Sequence, residues 1–160
     1  MKNGRPDPRG FTLIEVMTAV AILGILAAMS VGIPGSVRHG RFRNLETDVQ
    51  NVLAEARNTS IGQSQEVMVL FTTSSAVAFV DVNGNQAYDA GDTLIKQTDA
   101  YPPNATASLT GNMVFFSSRG FSLDAAGSAA LAARTVVFSD TGTGESGSLQ
   151  IAGGGAMRMQ

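Results

Sequence analysis

Five Asp and Asn side chains between residues 81 and 92 are the first candidates for chemistry. Asp81, Asn83 and Asn85 stand at alternate positions, and Asp89 and Asp92 follow. Calcium takes six to eight oxygen ligands, and a loop with Asp or Asn at alternate positions around a glycine turn supplies them. Two features oppose that reading. Gly84 falls at the fourth position of the stretch, where an EF-hand loop needs glycine at the sixth, and the twelfth residue is Asp92 rather than the longer glutamate. Asn83-Gly84 is also the commonest signal of a tight hairpin turn. The stretch is either a calcium loop or a structural turn. The second candidate is Glu15, a lone carboxylate inside an apolar run. An ionised acid near the centre of a bilayer costs about 2.5–3.5 kcal/mol, and such acids pair with a partner or serve a function. Catalysis finds little support. The single histidine, His39, lies among Arg38, Arg41 and Arg43 just past the apolar run and reads as a surface residue. Gly153-Gly154-Gly155 lacks the lysine and serine of a phosphate loop.

The elements that must hold these residues begin with a charged leader. Residues 1–10 carry Lys2, Arg5 and Arg9 against Asp7, with Pro6 and Pro8 opposing helix. From Phe11 to Ile33 the chain runs 23 mostly apolar residues, about 34 Å as helix, against a hydrocarbon core of about 30 Å. A basic flank before such a span places the N-terminus in the cytoplasm and the remainder across the membrane. A secretory signal would have a shorter apolar core, with its small-residue cleavage site after it; here the small residue, Gly10, comes first. A plain anchor accounts for the length but not for Glu15. Gly24 and Ala28, with three residues between them, permit close helix packing.

Gly32, Pro34 and Gly35 interrupt the helix, which resumes by Ser36. Leu45, Val49, Val52, Leu53 and Ala56 then recur at intervals of three and four, one apolar stripe. The pattern predicts a helix of about 50 residues, bent at Pro34 and ending near Ser60–Gly62 with Gly62 as cap. Beyond it the period changes to that of strands. Segments 66–72, 76–80, 93–96, 113–117, 135–139, 147–151 and 156–159 are rich in β formers, and 98–112 and 124–134 read as loops. The predicted class is α+β, a long N-terminal helix laid on one antiparallel sheet.

The chain of 160 residues has no cysteine, so disulfides, thiolate catalysis and cysteine-based metal sites are all excluded. Eleven Lys and Arg against 13 Asp and Glu give a net charge of −2; removal of residues 1–10 takes away three cations and one anion and leaves −4. An acidic chain is a poor general binder of nucleic acid, whose affinity rests on neutralising phosphates.

The run Arg9-Gly10-Phe11-Thr12-Leu13-Ile14-Glu15-Val16-Met17 resembles the processing site and helix start of type IV prepilins and type II secretion pseudopilins. The resemblance implies cleavage between Gly10 and Phe11 by a prepilin peptidase, N-methylation of Phe11, and pairing of the Glu15 carboxylate with the Phe11 amine of a neighbouring subunit. It divides the chain into a cleaved leader over 1–10, a transmembrane and filament-core helix over 11–35, an amphipathic half over 36–62 and a pilin-like β domain over 63–160. Within that group, Val52–Ser60, Phe116-Ser117-Ser118-Arg119-Gly120, Thr135–Gly142 and Gly155–Met159 are similar to the GspH/FimT type of minor pilin. The implied function is structural and not enzymatic: a subunit of a type IV pilus or type II secretion pseudopilus, held in the inner membrane with its C-terminal domain in the periplasm. Its implied partners are other pilin subunits, the peptidase and assembly platform proteins, with no cofactor beyond the calcium that residues 81–92 could take. The alternative is a DNA-binding minor pilin of an uptake pilus. Some members bind DNA through a basic C-terminal tail, and here Arg158, with Arg134 and Arg119, would have to serve.

Overall fold

The computed structural model describes residues 11–30 and 33–160. Gly10 and the rest of the leader lie outside the described residues. The chain divides into two units, Met1–Val37 and Arg38–Gln160.

The first helix, α1, is Leu13–Ser30. Thr12 starts it. Its carbonyl accepts the Glu15 and Val16 amides at 3.0 and 3.2 Å, and its hydroxyl accepts the Glu15 amide at 3.3 Å. Thr12-Leu13-Ile14-Glu15 is thus the Ser/Thr-x-x-Glu pattern of a capping box, with the acid in the first turn where the helix dipole favours negative charge. The polar Thr18 satisfies itself within the helix by donating to the Ile14 carbonyl at 2.6 Å. Every side chain from Phe11 to Met29 is exposed. Eighteen residues make a rod of about 27 Å, and among the described residues no helix is long and apolar enough to cross a membrane. The 23-residue span predicted from Phe11 to Ile33 is divided between α1, Val31 and Gly32, which lie outside the described residues, and the start of the next helix.

That helix, α2, is Ile33–Gln63. It begins earlier than predicted, with Pro34 in its first turn, where a missing N–H removes no helical bond. It also ends later than predicted and by a different residue. Gln65 N–H donates to the Ser60 carbonyl at 3.2 Å and Ser64 N–H to the Ile61 carbonyl at 3.3 Å, with Ser64 left-handed at φ 54°. This is a Schellman cap with serine in the place glycine usually takes; Gly62 is still helical.

The strands form two sheets rather than the single one predicted. The first joins β1 (Val67–Phe71), β2 (Ala76–Val80), β3 (Thr93–Gln97), β5 (Met113–Phe116) and β6 (Ser122–Leu123) in the order β3-β2-β1-β5-β6. The second joins β4 (Ala105–Ser108), β7 (Arg134–Asp140), β8 (Glu145–Ile151) and β9 (Met157–Met159) in the order β4-β7-β8-β9. All named pairings are antiparallel. Residues 105–108, predicted as loop, are a strand: Ala105 and Ala107 alternate with Thr106 and Ser108, but alanine gives too little apolar contrast for the period to show.

Both sheets and α2 share one core. Phe42, Leu45, Val49, Val52, Leu53 and Ala56 of α2 meet Val67, Val69 and Phe116 of the first sheet and Val136, Phe138, Leu149 and Ile151 of the second. The other face of the first sheet carries a second cluster, Met68, Val77, Phe79, Phe115 and Leu123. All of these residues lie between Phe42 and Ile151, so the unit Arg38–Gln160 holds its whole core within itself.

Candidate functional site

Phe11 and Glu15 sit at the start of α1. Phe11 is 79% exposed, and the Glu15 side chain forms no hydrogen bond or ion pair among the described residues. A capping threonine and the helix N-terminus hold the acid in the first turn, on a helix whose apolar surface is bare all round. Among the described residues no second group reaches that carboxylate.

The 81–92 loop closes on itself. Asp81 accepts the amides of Gly84 and Gln86 at 2.7 and 2.8 Å. Asn83 and Asn85 each accept the amide two residues on, and both donate side-chain N–H groups to Asp89 Oδ2 at 2.8 and 2.7 Å. Asp89 Oδ1 accepts the Gly91 amide at 2.8 Å, and Asp92 accepts those of Val82 and Asp89 at 3.1 and 2.9 Å. The Gly91 amide first, then Asn83 and Asn85, hold the Asp89 carboxyl below its ordinary range. Both Asn side chains turn an N–H, not an oxygen, toward Asp89. Among the described residues no three Asp, Glu, His or Cys side chains gather to hold a metal. The loop thus bonds its Asp and Asn side chains to one another and to its own amides. What it does is carry Tyr88 over Phe79, ring centroids 5.4 Å apart, against the second cluster.

The three candidate phosphate-binding arginines part company. Arg134 and Arg158 line one groove of about 380 Å³ at the end of β7, β8 and β9. Arg134 Nη2 is engaged there, donating to the Asp124 carbonyl at 2.6 Å. Arg119 is exposed in the turn between β5 and β6.

The residue that sequence reasoning passes over is Arg57. It stands on α2 among polar neighbours, with nothing local to mark it. Its Nε donates to the Gly120 carbonyl at 3.0 Å across 63 residues of chain. Gly120 and Gly155, at φ 75° and 78°, make room for it: a Cβ on Gly155 would overlap the Gly120 carbonyl and the Arg57 side chain, and one on Gly120 would strike Ile61. Arg57 therefore clips α2 to the turn after β5, and the turn before β9 closes over both. At the other end of the domain, His39 Nδ1 meets a Glu145 carboxylate oxygen. Glu46 lies against Gly147. Burial pushes the Glu46 carboxyl up, Arg43 opposes the shift and Glu145 adds to it.

These features describe a pilin-type fold: an apolar helix with one acid near its start, then a helix packed on antiparallel sheets. Residues 5–31 match the prokaryotic N-terminal methylation motif, and residues 47–155 match the model of the type II transport protein GspH. The chain belongs to the GspH family, as a GspH/FimT-type minor pilin. Two crystal forms of the type IV minor pilin FimU from Pseudomonas aeruginosa share its fold, each with a TM-score of 0.55. At 14% identity one match covers 74% of this chain and 89% of that one; at 15% the other covers 76% and 91%. Comparison with curated proteins finds no sequence match.

Proposed function

We propose that this subunit is cleaved between Gly10 and Phe11 by prepilin peptidase and N-methylated at Phe11. It stands in the inner membrane with a cytoplasmic N-terminus and a periplasmic C-terminal domain. From there it joins other pilin subunits, through the assembly platform, in a type IV pilus or type II secretion pseudopilus. The observation that carries this reading is the contrast between α1, exposed from Leu13 to Met29 and apolar there apart from Thr18 and a Glu15 unpaired among the described residues, and a domain that holds its own core. Such a helix needs lipid or other subunits around it. A buried acid needs a counter-charge, and the amine freed at Phe11 by cleavage supplies one. Expressing the chain with and without the peptidase, and reading the mature N-terminus by mass spectrometry, tests processing. Glu15→Ala should be cleaved normally yet fail to enter the filament. Assembly at the wild-type level would end the pairing role.

We read the 81–92 loop as a closed structural turn. Its support is the set of internal hydrogen bonds that already use its carboxylate oxygens. Millimolar calcium should leave the domain's melting temperature unchanged.

DNA binding has one observation in its favour, the shared groove of Arg134 and Arg158. A gel shift at low and high salt with Arg158→Gln tests it; retardation that is lost in that variant supports the reading.

A further inference from the structure

Within the globular unit, α2 begins with Arg38 and Arg41, three residues apart and so on one face of the helix. Both are exposed, and neither forms a hydrogen bond or ion pair among the described residues. Arg57 and Arg134, by contrast, are tied to Gly120 and Asp124. The two free guanidiniums line a concave site of about 160 Å³, closed by Pro102, Pro103 and Asn104 and by the turn that follows β7. Asp140 is the acid of this lining. It is buried, and its Oδ1 is turned into the loop, accepting the Gly142 and Thr143 amides at 2.7 and 3.3 Å. The prolines present no N–H and wall the site with ring carbons. Two cations against one inward-held anion give this lining a net positive charge, while Asp48 and Asp99 lie in the adjoining cleft on the other side of Arg41.

We propose that this groove binds the phosphate of an anionic phospholipid headgroup. Guanidinium forks match the oxygens of a phosphate in geometry as well as charge. The volume is several times the roughly 30 Å³ share of a water molecule, enough for a tetrahedral oxyanion. The choice of lipid over a free ion rests on the membrane-inserted reading given above. Seven residues separate Ser30, where α1 ends, from Arg38, so their Cα atoms lie at most about 28 Å apart. On that reading the groove cannot stray far from the outer headgroups. Cations just beyond a span also work against the preferred cytoplasmic placement of positive charge, so their position calls for a local partner.

A fragment of residues 36–160, which carries the whole core, is incubated with vesicles of phosphatidylglycerol or of phosphatidylcholine and sedimented. Because the fragment lacks Gly10, Phe11 and Glu15, the result is independent of cleavage and assembly. The wild-type fragment should bind phosphatidylglycerol about tenfold more than phosphatidylcholine, as two arginines at an anionic surface allow. Arg38→Gln with Arg41→Gln should reduce binding to the phosphatidylcholine level with the melting temperature unchanged. Arg119→Gln with Arg158→Gln should bind like the wild type. Equal losses in both double variants would mean general surface charge and overturn the site. Phosphorus line broadening of inorganic phosphate without vesicle binding, or binding of a polyglutamate peptide alone, would overturn the lipid assignment.

Discussion

The two helices follow one another in the chain and treat apolar surface in opposite ways. α1 leaves all of it bare, from Phe11 to Met29. α2 buries a stripe: Val49, Val52, Leu53 and Ala56 have no exposed surface at all, and burying a side chain as large as Leu53 is worth ~1.5–3 kcal/mol. The domain can therefore fold alone, while α1 is finished only by what surrounds it. A defect in α1 should spare the domain, and a defect in α2 should not.

The largest effects separate the two. Glu15→Ala should lower assembly by about a hundredfold or more, since removing one partner of a buried pair costs about 3–5 kcal/mol, with the domain's melting curve unchanged. Leu53→Ala should destabilise the domain by about 2–5 kcal/mol in urea titration. A matching loss of stability from Glu15→Ala would break the comparison. Next comes the clip. Arg57→Ala removes a charge-assisted bond to Gly120 and should cost about 1.5–3 kcal/mol, measured on the same domain; no loss would make the contact incidental.

Smaller changes refine the picture of α2. Ser64→Gly relieves a left-handed serine at the helix end and should stabilise the domain by about 0.5–1 kcal/mol. The smallest effect is a slope with pH. The Glu46 carboxyl is raised in the folded domain, chiefly by burial. The folded state thus favours its protonated form, and the stability this confers is present below the ordinary value of 4.5 and lost as pH rises through the folded value. Glu46→Gln should flatten that part of the curve; an unchanged slope would assign it to another group.

Most of this plan is legible in the chain because its signals are local. The stripe from Leu45 to Ala56 reads as a helix face because neighbours three and four apart meet directly. The strands from Val67, Ala76 and Met113 read as strands because β-branched and aromatic residues crowd them. The 81–92 stretch shows the limit of such reading. Its residue types allow a metal or a turn, and the direction of the Asn83 and Asn85 amides, which spacing does not reveal, supports the turn. Thr12 and Glu15 carry a capping signature that spacing reveals, but the eye is drawn to the apolar run after them.

The order of parts is written along the chain: a basic leader, an apolar helix with one acid, an amphipathic helix, then strands. The methylation motif is legible because it is contiguous, and the GspH family because its model runs over residues 47–155. Tertiary structure decided the rest. It split the strands into two sheets around α2, recruited Ala105–Ser108 as an edge, and seated Arg57 between two glycines. It set Arg134 and Arg158 on one groove and left Arg119 elsewhere. The physical reason is distance along the chain. Periodicity reports contacts within a turn or a strand, whereas Arg57 finds Gly120 only when α2 has been laid on the sheets by its apolar stripe.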